Sequence, residues 1–379
     1  MKAHSIRKGI KRTVSGLLAR LWRRRRLSAA EVRALRPGRI LIVRQHNQMG
    51  DMVCATPALR AIRRQYPAAE IGLVCAPVNR DVVLHNPDLD RIFVFDKRAC
   101  TRPGPLLRFV GDLRGFAPDL AFVLASVSWS VSSAALAAVS GAAVIVGADS
   151  RPFGFDVSRH AFSLEMPSTP QMDVHAVDHN LAPLAAIGFE TDEVDTVMAS
   201  SPAEIARAAQ LRREMPGEGP LWIMHPGAGK DVNLWPTDRF AEIAARAVSA
   251  GRPLLVLQGP ADGEVMARFR EACRRRLDPA ALALVSELPP TSVGVCAALL
   301  AEADRFLCND TGLMHVAGAV GVPTLALFGP TDPRLWAPRA ATLSPLRAAR
   351  GRLEDLDTDE VWERWRTLTA RPAPSPERT

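Results

Sequence analysis

A chain of 379 residues with 47% hydrophobic and 23% charged side chains is too long for one ordinary core. Its make-up excludes a disordered or fibrous polymer and predicts a folded, two-domain protein. The formal net charge of +8 is unevenly held: residues 1–39 carry thirteen Lys and Arg against Glu31 alone, so the body beyond them is mildly acidic.

The basic segment comes first in chain order. Ile6, Ile10, Val14, Leu17, Leu18, Leu21 and Trp22 recur at helical spacing, with cations at the other positions. That pattern suits an amphipathic helix on an anionic membrane surface, and equally a solvated basic extension. Nucleic acid is not expected as a partner, because aromatics are not interleaved beyond Trp22 and no recognition motif follows. The arm has no uninterrupted apolar stretch followed by a small-residue cleavage site, so a cytoplasmic protein is expected.

Beyond the arm, short apolar runs alternate with amphipathic stretches. Strands are predicted at Ile40–Val43, Glu70–Cys75, Arg91–Phe95, Leu120–Leu124 and Ala143–Val146, with a helix at Thr56–Gln65 whose Leu59, Ile62 and Tyr66 share a face. This is the βαβ pattern of an open parallel sheet covered on both sides. Leu120 to Ala148 has no charged side chain and is long enough to span a bilayer. Six serines and Gly141 interrupt it, so two buried strands around a small-residue helix explain it better. Gly188 to Glu204 reads as a hinge, with Gly217 to Pro220 closing the linker.

The second half repeats the scheme. Strands are predicted at Leu221–Met224, Pro253–Leu257, Ala283–Val285, Arg305–Cys308 and Thr324–Phe328. Helices are predicted at Thr237–Ala250, from Asp262 onward, at Ser292–Ala301 and at His315–Val320. The expected organisation is an arm at 1–37, a Rossmann-like domain at 38–188, a linker at 189–219, a second Rossmann-like domain at 220–345, and a C-terminal helix with a disordered tail at 346–379. Six cysteines without a CxxC pair show neither a zinc site nor a disulfide framework. The pairs Asp88/Asp90 and Asp355/Asp357/Asp359 read as solvated caps rather than metal ligands.

Ligands of such sheets bind at the carboxyl ends of strands, where helix N-termini face the crevice. Four loops lie there. In CNDTGLMH, Asn309, Asp310, Thr311 and Gly312 put a tight turn and a hydroxyl at a helix start, with His315 behind; this fits a diphosphate or an ordinary cap. In HPGAGKDVNLWP, residues 225–236, the glycines permit close backbone approach and Lys230 supplies a cation, although the spacing is neither GxxxxGK[ST] nor GxGxxG. In QGPADGE, Asp262 or Glu264 could meet ribose hydroxyls or begin a helix. In RQHNQMGDMV, residues 44–53, Asp51 follows Gly50 where a strand gives way to a helix, and could cap that helix or act as a base.

Taken in order, ILIVRQHNQMGDMVCATPALRAIRRQYP, HPGAGKDVNLWP, LQGPADGE and NDTGLMHVAGAVGVPTLALFGPTDPRLWAP resemble glycosyltransferase family 9, the lipopolysaccharide heptosyltransferases, over residues 38–345. The resemblance implies a GT-B architecture: two Rossmann-like doubly wound domains, acceptor in the first and nucleotide-sugar donor in the second, facing a cleft. It implies inverting transfer without metal or other cofactor, usually from ADP-heptose to a lipid-linked lipopolysaccharide core at the inner face of the cytoplasmic membrane. By the same resemblance Asp51 is the general base, with Arg44 and Gly50 on the acceptor side. Lys230, Asn233, Glu264, Asp310, Thr311, Gly312 and His315 are then donor-binding. Asn233 stands where many members have a basic residue. The rival readings are a nucleotide-sugar epimerase of the same architecture, which would isomerise the donor without acceptor, and a catalytically silent membrane-associated relative.

Overall fold

The computed structural model describes residues 20–46, 48–124, 129–168 and 174–369. The arm's first nineteen residues and the tail after 369 lie outside them, as do Ser126 and Ser128 of the uncharged stretch. The chain divides into two units, Met1–Val194 and Asp195–Thr379.

In the first unit, α1 (Ala29–Arg33) and β1 (Arg39–Arg44) lead to α2 (Met49–Val53), α3 (Thr56–Gln65), β2 (Glu70–Cys75), α4 (Pro77–Val83) and β3 (Arg91–Val94). They are followed by α5 (Pro103–Phe116), β4 (Leu120–Val123), α6 (Val131–Val139), β5 (Val144–Ala148), α7 (Ser158–Ala161), β6 (Leu164–Met166) and α8 (Ala176–Ala185). The strands pair in parallel in the order β3-β2-β1-β4-β5-β6. Because β1 lies between β2 and β4 with helices on both faces, Ile40, Leu41, Ile42 and Val43 are all fully buried. That is why the sequence there is a continuous apolar run instead of an alternating one. Each such side chain contributes roughly 1.5–3 kcal/mol by leaving water.

The second unit contains α9 (Pro202–Glu214), β7 (Trp222–His225), α10 (Thr237–Ser249), β8 (Leu254–Val256), α11 (Gly263–Arg274), α12 (Pro279–Leu282) and β9 (Val285–Glu287). After these come α13 (Val293–Glu302), β10 (Arg305–Asn309), α14 (Gly312–Val320), β11 (Thr324–Phe328), α15 (Pro333–Trp336), β12 (Leu343–Arg347) and α16 (Thr358–Arg366). Its parallel sheet runs β12-β11-β10-β7-β8-β9, the same doubly wound order as the first. In each sheet the strand order reverses beside the unit's first strand, between β1 and β4 and between β7 and β10, and ligand crevices open at the carboxyl ends of such pairs. Helix α16 belongs to this core: Trp365 is fully buried and packs edge-on against Trp222 at 4.7 Å between ring centroids, and the Arg305 guanidinium lies over the Trp222 ring.

Several expectations change. Residues 189–219 were expected to be a linker, yet they contain α9. Ser201 and Glu204 form a reciprocal capping box at its start, and Glu204 also accepts a hydrogen bond from Ser292 at the start of α13. The strand expected at 283–285 is β9 at Val285–Glu287, because Asp278 caps α12 and that turn takes up the preceding residues. Asp357 does cap α16, but Asp88 is buried, and burial pushes its carboxyl above the usual range against the pull of Arg60, Arg63 and Arg64. The described part of the arm packs on the first unit. Trp22 meets its core, Arg24 donates to the carbonyls of Ala138, Ala142 and Ala143 where α6 ends, and Arg26 pairs with Glu165 at 2.8 Å. The uncharged stretch folds as β4, α6 and β5, and no described helix is long and apolar enough to cross a membrane.

Candidate active site

A connected polar arrangement in the second unit stands at the carboxyl ends of β7 and β10. Asn309, the last residue of β10, is fully buried. Its amide donates to the carbonyls of Pro226 (2.9 Å) and Gly227 (3.2 Å) and its oxygen accepts from the Trp235 N–H, so it holds both ends of the loop after β7. From that loop Asn233 donates to the Asp310 carboxylate at 3.1 Å. Burial raises the Asp310 carboxyl, opposed by a hydrogen bond from Thr331 and the charge of Lys230. Lys230 itself is exposed.

Thr311 is the N-cap residue of α14, but its side chain makes no capping bond and its hydroxyl is buried without a partner. An unmade hydrogen bond of this kind costs free energy. It becomes useful when a ligand completes it, and the start of a nine-residue helix with no side-chain cap beside it favours an anion, although the Met314 N–H already turns back to the Thr311 carbonyl. Gly312 opens that helix, and His315 is buried one turn in.

The loop after β8 is fixed from within. Asp262 is buried and takes two hydrogen bonds on one oxygen, from His225 Nε2 at 2.9 Å and the Gly259 N–H at 2.6 Å. Burial acts to raise its carboxyl, but the His225 hydrogen bond and charge, with the Gly259 N–H, hold it below the usual carboxylate range. A Cβ on Gly227 would sit 2.4 Å from that carboxylate, so only glycine allows the two loops to approach. Of the two acids considered from the sequence, Asp262 is the scaffold. Glu264 is 91% exposed, in the first turn of α11, and reaches Arg268 at 3.6 Å.

In the first unit, the carboxyl end of β1 carries Asp51. It is not a cap: Gln48 holds the N-cap position, and Asp51 lies within the first turn of α2, its side chain 11% exposed. Among the described residues its carboxylate is matched by Arg44 alone, at 3.5 Å. Arg44 is enclosed, 2% exposed, with its second terminal nitrogen 2.5 Å from His46 Nδ1. Burial lowers its pKa, and Asp51 counters that. Arg44 therefore turns inward to the acid, and Gly50 is buried beside it.

Sequence reasoning missed the neighbours. Gln45 accepts from Ser132 while its own Nε2 is buried and unpartnered; Asn79 donates to the His46 carbonyl with its Oδ1 unpartnered. His179 Nε2 is likewise buried and unpartnered, and its pKa is lowered by burial and by the Arg44 charge, with Asp178 opposing. Gln45 was visible within RQHNQMGDMV; Asn79 and His179 come from α4 and α8 and gave no local signal. Among the described residues no cluster of three or more His, Cys, Asp or Glu could hold a metal ion.

Known proteins resemble this chain in sequence and in fold. Residues 108–365 match the sequence model described as Glycosyltransferase family 9 (heptosyltransferase). The chain is 25% identical over 295 residues to lipopolysaccharide heptosyltransferase 3 of Escherichia coli, covering 76% of this chain and 83% of that protein. The solved structure of E. coli ADP-heptose lps heptosyltransferase II superposes with a TM-score of 0.69 at 20% identity, over 86% of this chain and 96% of that one. An E. coli heptosyltransferase solved with ADP-2-deoxy-2-fluoro heptose gives 0.63 at 20% identity, over 86% and 98%. The fold is thus GT-B, two Rossmann-like α/β units. With the family model spanning well over half of its length, this chain belongs to glycosyltransferase family 9 and is a glycosyltransferase.

Proposed function

We propose that the chain moves a heptosyl group from ADP-heptose to the core of lipopolysaccharide, or to a related lipid-linked envelope glycan, with inversion and without a metal. The observation that carries the donor side is the unpartnered Thr311 hydroxyl at the uncapped start of α14, beside Asp310 and exposed Lys230. A diphosphate supplies the partner that hydroxyl lacks and the negative charge that a helix start favours. The names of the relatives support ADP-heptose as the donor and lipopolysaccharide as the acceptor's origin.

In this reading Asp51 takes the proton from an acceptor hydroxyl, whose oxygen forms a bond to the anomeric carbon as the bond to the diphosphate oxygen breaks. ADP leaves with that electron pair and needs no proton, so one carboxylate suffices. Arg44 acts on this step through Asp51, holding its carboxylate from the buried side. Lys230 and the α14 N-terminus stabilise the charge growing on the leaving group. Asn233, uncharged where many members are basic, orients Asp310 and leaves Lys230 as the loop's cation. Gly312 allows close backbone approach, His315 supports the helix start from within, and Glu264 is the exposed acid available to ribose hydroxyls. Residues 1–37 keep the enzyme peripheral on the inner face of the cytoplasmic membrane through the cations other than Arg24 and Arg26, which the first unit already holds, at about 1 kcal/mol per basic residue near an anionic surface.

The test is transfer itself. Purified enzyme is incubated with ADP-heptose and a heptose-lacking core lipid, and the acceptor is followed by mass spectrometry. Addition of one heptosyl unit is expected. Turnover with UDP- or GDP-sugars but not ADP-heptose would overturn the donor assignment, and isomerised donor without acceptor would favour an epimerase.

A further inference from the structure

We propose that residues 97–108, where α5 begins, dock the first unit onto an anionic bilayer, with Leu106 and Leu107 entering the interface and Lys97, Arg98, Arg102 and Arg108 meeting the headgroups. Leu107 is 71% and Leu106 39% exposed, the one pair of sequence neighbours among the exposed large hydrophobics of the described residues. The opposite face of α5 is committed to the core through Phe109, Leu113 and Phe116, with Phe109 against Phe95 at 5.1 Å between centroids. The helix therefore cannot roll to hide its leucines. The four cations are all exposed, no acid lies between Asp96 and Asp112, and none of the four has an ion-pair partner among the described residues.

Position supports the same partner. Strands β1, β2 and β3 are parallel neighbours, so the connection after β3 and the β1–α2 turn bearing Asp51 leave the same edge of the sheet. A bilayer against residues 97–108 thus meets the rim that holds the proposed base, where a lipid-linked saccharide must arrive; this step rests on the reading of the acceptor given above. Four like charges disfavour a second copy of the same face. Apolar side chains beside cations suit an interfacial helix, and no described helix spans. Each cation near an anionic surface is worth roughly fivefold in partitioning, and a leucine withdrawn from water about tenfold or more.

Full-length protein is tested by co-sedimentation with phosphatidylcholine vesicles with and without phosphatidylglycerol. It is compared with the paired variants Leu106→Glu/Leu107→Glu and Arg98→Glu/Arg102→Glu, with thermal melting of each to establish folding. Both variants should lose about tenfold or more in partitioning onto anionic vesicles, the arginine pair most at low salt. Transfer to a soluble, delipidated core saccharide should be unchanged, while transfer to vesicle-embedded acceptor falls. Partitioning within twofold of the parent for both folded variants would overturn the proposal. So would a parent dimer in sedimentation velocity that the leucine variant splits. If the parent itself fails to glycosylate the soluble saccharide, the proposed function fails while the vesicle result still reports on the patch.

Discussion

Replacing Asp262 tests whether the buried Asp262–His225 pair behind the loops after β7 and β8 stabilises the second unit. Asp262→Ala removes both hydrogen bonds from one carboxylate oxygen, leaving His225 Nε2 and the Gly259 N–H unmatched; His225 Nδ1 already lacks a partner. Each hydrogen bond to a charged group is worth about 1.5–3 kcal/mol, so the two that share one Asp262 oxygen come to about 3–5 kcal/mol together. For a unit of this size, 1 kcal/mol moves Tm by roughly 2–4 °C, so Asp262→Ala should melt about 6–20 °C lower. Asp262→Asn keeps an oxygen in place and should lose only a few degrees. The Asp262 carboxyl is held below its unfolded value. Its contribution is therefore present above the unfolded pKa near ~3.9 and lost as pH falls through the lower folded value. The gap in Tm between parent and Asp262→Ala should narrow below about pH 4. Differential scanning calorimetry across pH reads this directly. An alanine variant melting within about 2 °C of the parent at neutral pH would refute the reasoning.

Two further substitutions separate binding from stability. Thr311→Val removes a buried hydroxyl that has no partner, so Tm should hold or rise, while ADP affinity in titration calorimetry falls by about 0.5–1.5 kcal/mol; unchanged affinity would remove Thr311 from the diphosphate site. Lys230→Ala should weaken ADP by about 1.5–3 kcal/mol and flatten the salt dependence of binding, with melting unaffected because Lys230 is exposed.

Much of this was legible because parallel sheets write themselves plainly. Buried strands such as Ile40–Val43 and Thr324–Phe328 are continuous apolar runs, and the turns after them carry the glycines, asparagines and acids that ligand loops need. The edge strands β6 and β12 were missed because β6 has only three residues and both are partly exposed, with Glu165 and Pro345 breaking any run. Helix α9 was readable in the Ser201–Glu204 box, a spacing masked by the small and acidic residues before it. The environment of Asp51 was not readable. Arg44 looks in sequence like a loop cation awaiting a ligand, and only the packing of α2 and β1 encloses it. Asn79 and His179 join it from helices remote in sequence. Arg24 and Arg26 carry a similar lesson: part of a basic arm can be spent on carbonyls and a carboxylate of its own unit.

Turnover of Asp51→Asn, measured with ADP-heptose and acceptor alongside calorimetric ADP binding, tests the central claim most directly. The asparagine keeps an oxygen near Arg44 but cannot take a proton. The account predicts a fall in kcat of about 10²–10⁴-fold with ADP affinity unchanged. Near-parental turnover, or an equal loss of ADP binding, would contradict it.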